Sequence, residues 1–175
     1  MRKASLFFLC LVLFPQGAWA QGAAPELFGV REVIINPAQF DDVKAASTCG
    51  VTREKIGSAL AFIFHGTTVP AIADADAKPP SLGIARIQLV PEVFTYANES
   101  LDCVSWVSLT AESHANAVIS PVTTLRSVKV VYWQQHTKVV SGMTLHDQRI
   151  TDVLQKMALQ FAQQYRADQP VESIK

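Results

Sequence analysis

The residues through which this chain could do chemistry are four histidines, three cysteines and three tryptophans. His65, His114, His136 and His146 are scattered over unrelated stretches. None falls into H-x-x-x-H, H-E-x-x-H or a mixed cysteine and histidine spacing, so no metal site is expected. The sequence has no G-x-S-x-G elbow, no P-loop and no G-x-G-x-x-G, which argues against the common hydrolase, nucleotide and dinucleotide chemistries. No cofactor is implied. One enzymatic route stays open: His114 and His136 lie in, or at the ends of, adjacent predicted strands and could meet near a serine. The opposing reading is two surface histidines. Asp41 and Asp42 have no histidine or further carboxylate beside them and read as turn chemistry.

The cysteines depend on the compartment. Arg2 and Lys3 precede an apolar run from Leu6 to Phe14, followed by Pro15, Gly17 and Ala18-Trp19-Ala20, the order of a cleaved secretory signal with cleavage between Ala20 and Gln21. The run is too short to span a bilayer, and Cys10 lacks the small residues that precede a lipid-accepting cysteine. Residues 1–20 are therefore read as a signal peptide and 21–175 as a single α/β domain, its ordered core about 27–168. The mature protein is expected in a bacterial periplasm or the medium. Export leaves Cys49 and Cys103, which in an oxidising compartment pair unless they are two separate buried thiols.

Length and charge narrow the classes further. The chain has 175 residues and zero formal net charge, with its Lys and Arg residues scattered. A nucleic-acid binder needs a clustered basic excess, so no nucleic-acid partner is expected.

These side chains must be positioned by a few elements. Thr144 to Ala167 carries Ile150, Val153, Leu154, Met157, Ala158, Phe161 and Tyr165 at helical spacing, with Thr144 as cap and Asp147 in a capping-box position. Thr52 to Gly66 forms a second amphipathic helix, buried through Ile56, Ala59, Leu60, Ile63 and Phe64. Thr52 caps it and Gly66 is its left-handed stop. Strands are expected over Val30–Ile35, within Leu82–Tyr96, over Leu101–Thr110 and over Leu125–Trp133, with Pro91 marking an edge, a bulge or a strand end. Cys103, Ser105, Val107 and Leu109 share one side of the third strand, and Trp106 lies on the other. The order β-α-β-β-β-α predicts an α+β fold. It is a two-layer α/β sandwich, two helices on one face of a mostly antiparallel four-stranded sheet, with Cys49 and Cys103 joining helix to sheet.

Two segments resemble a known pattern. Cys49-Gly50-Val51-Thr52 with its helix to Gly66, and Trp133-Gln134-Gln135 with a long helix ending in Phe161-Ala162-Gln163-Gln164-Tyr165, resemble small exported bacterial proteins of no established activity. The order of elements is similar to the outer-membrane lipopolysaccharide-assembly lipoprotein and to the N-terminal domain of the TolB translocation protein. That resemblance implies docking onto other envelope proteins, without the acylated N-terminal cysteine of the former.

The reading that follows is a non-enzymatic exported accessory protein of the envelope. It would dock through the open face or an edge of the sheet, where Trp106 and Trp133 could form a cross-strand pair and contact a partner. The alternatives are a small-ligand binder using a gap near those tryptophans, and an enzyme assembled from distant residues.

Overall fold

A computed structural model describes residues 27–76, 85–97, 102–118 and 124–169. The signal-like segment and the peptidase site lie outside them. The elements are β1 (Glu32–Ile35), β2 (Gln39–Phe40), α1 (Val43–Thr48), α2 (Arg53–His65), β3 (Ala71–Ala73), β4 (Arg86–Ala97), β5 (Asp102–Val118), β6 (Leu125–Gly142) and α3 (Met143–Asp168). The fold is α+β. Its sheet runs in the order β3-β1-β4-β5-β6, with β2 pairing β4 beyond the end of β1.

The sheet corrects the expectation of four mostly antiparallel strands: it has six among the described residues, in two regimes. On one side β1 pairs in parallel with β3 and β4, and β2 pairs in parallel with β4. On the other side β4, β5 and β6 are antiparallel. The extra strands, two and three residues long, are too short to show a period of two. Pro91 lies in the interior of β4, not at its end. β1 partners β4 as far as Leu89 and β2 resumes at Glu92, so the missing proline N–H falls in the gap between them.

Helix α2 begins as expected, the Thr52 hydroxyl accepting from the Lys55 amide at 3.3 Å. Its end differs: Gly66 has φ −89°, an ordinary right-handed value. Positive φ values occur instead at Gly29, 77°, and at Gly50, 73°, in the turn between α1 and α2. Helix α1 follows the pair read as turn chemistry, and Asp42 caps it by accepting from Ala45 N at 2.9 Å. Asp41 Oδ1 accepts from Thr95 N at 3.1 Å, tying that turn to β4.

Helix α3 keeps the predicted stripe and reaches one turn further back. Its buried residues are His146, Ile150, Leu154, Met157, Ala158, Phe161, Ala162, Tyr165 and Asp168. Its cap is Gly142 with no side-chain hydrogen bond, not Thr144, because β6 runs straight into the helix. Asp147 pairs with Lys55 on α2 instead of closing a capping box. Phe161 is the centre of the core, with Trp133 at 5.3 Å and Phe64 at 6.1 Å between ring centroids, both edge to face. The helix end clamps the start of the described chain. Tyr165 Oη donates to Val30 O at 2.8 Å, and Asp168 Oδ2 accepts from Leu27 N at 3.1 Å.

Candidate functional site

Three places could carry function, and each is built by β-strand alternation, which sends successive side chains to opposite faces. Ser105 and Trp106 on β5 divide them.

Ser105 points to the helix side and is fully buried, as is His146 on the first turn of α3. Ser105 Oγ lies 2.8 Å from His146 Nε2 and 2.9 Å from Thr95 Oγ1, while Ser141 Oγ lies 2.8 Å from His146 Nδ1. A neutral imidazole has one donor and one acceptor nitrogen, so the two serines play complementary roles and both ring nitrogens are satisfied. Burial holds the His146 imidazole below its ordinary value, a shift partly offset by the Asp147 carboxylate. A serine and histidine at hydrogen-bond distance have the parts of a nucleophile and base, but neither side chain can touch a substrate. The chain Thr95-Ser105-His146-Ser141 is a polar bolt between sheet and helix. Cys49 and Cys103 form a disulfide beside it, Cα to Cα 6.1 Å, and Cys103 pairs in register with Ser141.

Trp106 points the other way. In register across the sheet stand Phe94, Trp106 and Lys138, and in the next row Tyr96, Val104 and Val140. Phe94, Trp106 and Tyr96 are 49%, 55% and 68% exposed, and no helix among the described residues covers them. The Lys138 ammonium sits 5.8 Å from the Trp106 ring centroid, a cation–π arrangement. The bare area is local. Further along the same face Val90, Thr110 and Glu112 are buried. The two tryptophans therefore do not pair. Trp106 faces Lys138, whereas Trp133 lies opposite the small Ala111 and turns its ring onto Phe161. Strict alternation would separate Tyr132 from Trp133. A bulge at Tyr132, between the pairs Trp133–Ala111 and Val131–Glu112, brings both against the core.

The third place is a cleft of about 1160 Å³ where α2 passes the β1–β3 end of the sheet. Ile35, Phe64, Val69 and Ile72 are among its apolar lining, and Arg31, Arg53, Glu54 and His65 among its polar lining. Asn36 lines it too, with Oδ1 buried and without a hydrogen-bond partner. Neither Trp106 nor Trp133 lines this cleft, and the Trp133 ring packs on Phe161.

His114 and His136 are not brought together. They lie opposite Lys129 and Ser108, and six positions of β5 between His114 and Ser108 separate them by roughly 20 Å. The Ser108 hydroxyl donates to Glu92 at 3.0 Å. Sequence reasoning passed over His146, yet its signal was present: it stands four residues before Ile150, on the same helical stripe.

No family model matches the chain, and no curated protein does. Among solved structures, one from Helicobacter pylori, assigned as a homolog of a neuraminyllactose-binding hemagglutinin, aligns with a TM-score of 0.35 and 10% identity. The alignment covers 79% of this chain and 86% of that one. Similarity at that level transfers neither fold nor role.

Proposed function

We propose that this protein is a non-enzymatic, exported accessory module of the bacterial envelope, a two-layer α/β sandwich whose uncovered sheet face docks onto another envelope component. The observation that carries this reading is the local patch of Phe94, Tyr96, Trp106, Val104 and Val140 with Lys138 at its margin. Large aromatics cost free energy in water, and a contiguous apolar group on an ordered sheet marks a contact surface. The signal-like N-terminus and the disulfide support the compartment.

A photo-crosslinking residue replacing Trp106 tests it in intact cells, with the same residue at the exposed Gln160 of α3 as control. A discrete adduct from position 106 alone, on mature protein beginning at Gln21, is the expected result. Adducts from both positions, or from neither, would remove the reading.

The cleft beside α2 favours a second reading, a small-ligand binder, because it is large enough for a small ligand and sets an apolar wall beside a few polar groups. A thermal-shift screen of amphipathic metabolites separates the two. Stabilisation lost in Asn36→Leu and kept in Trp106→Ala assigns function to the cleft.

A further inference from the structure

Strand β6 is the last strand on its side of the sheet, and among the described residues no strand pairs with its outer edge. It runs for 18 residues, with β5 occupying its inner edge throughout. An ordinary strand has about 3 to 10 residues. So long a row of unpaired N–H and C=O groups is a template for another strand.

Charge says which kind of strand. From Ser113 to His146 the sequence contains no Asp or Glu, while β6 carries Arg126, Lys129 and Lys138. Lys129 is paired with the buried Glu112 at 2.7 Å. Arg126 and Lys138 are exposed and have no carboxylate partner among the described residues.

Three occupants compete for the edge. A second copy would bring a strand with the same cations and, from Ser113 to His146, no carboxylate. Such a dimer leaves Lys138 and Arg126 without an opposite charge. An anionic bilayer would attract the cations, but from Ser113–Val130 to Val118–Leu125 β5 and β6 form a two-stranded arm with both edges unpaired among the described residues. Hydrocarbon does not tolerate unpaired strand edges. An extended segment with carboxylates on alternate residues meets both demands, completing the hydrogen bonds of β6 and turning its carboxylates to the face of Trp106 and Lys138, whereas Arg126, opposite Ala117, adds its charge from the other face.

We infer that the outer edge of β6 takes up an acidic extended segment of a partner protein by strand addition. The inference rests on reading the sheet as a docking surface, since the row Phe94–Trp106–Lys138 runs out to this same edge.

The probe is a ten-residue peptide alternating Glu and Val, N-methylated on every second amide so that it pairs through one edge only. Amide exchange by NMR reads β6, and indole fluorescence reads Trp106. The acidic peptide is expected to slow exchange at alternate amides of β6 and to bind about tenfold more tightly than its Lys/Val counterpart. The variant Lys138→Glu should reverse that order with its melting temperature kept, because the side chain is exposed. Equal binding of the two peptides overturns the inference. Indole shielding without β6 protection overturns strand addition but leaves the docking face standing. No response at either probe overturns both readings. Protection of the arm by phosphatidylglycerol vesicles, with no peptide effect, overturns the inference in favour of a lipid surface.

Discussion

Ser105 and Trp106 are neighbours on one strand, and the two faces of the sheet they enter obey opposite rules. On the helix side a small hydroxyl is fully buried, and it survives there because Thr95 and His146 satisfy it. On the other side the largest side chain of the strand is half exposed, with a lysine over its ring as company. Polarity alone would have placed them the other way round. Position in the alternation wins because reversing it would turn Cys103, Val107, Leu109 and Ala111 out of the core together with Ser105. The polar residue inside holds the helix in place, and the aromatic outside stands half exposed on the face proposed for docking.

Perturbing the two faces should give unequal results. The largest effect is expected from Phe161→Ala, which empties the contact point of Trp133, Phe64 and Tyr165. Urea unfolding should show a loss of about 3–5 kcal/mol. Replacing Cys49 and Cys103 together by Ala releases a sequence separation of 54 residues. The entropy model puts the loss at about 4 kcal/mol, and an unchanged midpoint would mean that the bridge constrains nothing in the unfolded chain.

Next comes the polar bolt. His146→Ala strands Ser105 and Ser141 and should cost about 1–3 kcal/mol, whereas Thr95→Val, Ser105→Ala and His146→Phe combined should cost less than the single change. The same histidine sets a pH dependence. Its folded-state value lies below the unfolded one, so the unfolded chain binds the proton more readily. Its contribution is fully present above the unfolded value of about 6.5 and is lost as pH falls below it toward the folded value. Melting temperatures between pH 7 and pH 5 should therefore fall more steeply in the parent than in His146→Phe.

The smallest stability effect belongs to the open face. Trp106→Ala and Phe94→Ala should change unfolding free energy by no more than about 0.5 kcal/mol while abolishing crosslinking or peptide response. A large stability loss there would mean that the face is structural and would erase the contrast.

Much of this was legible along the chain. The α3 stripe from Ile150 to Tyr165 returns in place, because seven apolar positions at helical spacing admit one solution. The buried side of β5 was equally plain in Cys103, Ser105, Val107 and Leu109. His146 was missed when histidines were weighed as reagents instead of as positions on a stripe. Strands β2 and β3 had no period to read, and the bulge at Tyr132 shifts register by a residue that carries no turn signal.

Sequence by itself determined the two long amphipathic segments, the alternation of β5 and the candidates for the disulfide, since each depends on spacing within one element. Tertiary structure alone decided that Cys49 meets Cys103, that His146 lies between two serines and that β1 and β3 pair in parallel. It also decided that Trp106 is bare while Trp133 is tucked against Phe161. Those outcomes depend on which elements share a face and in what register. That is fixed only when every apolar stripe is buried at once.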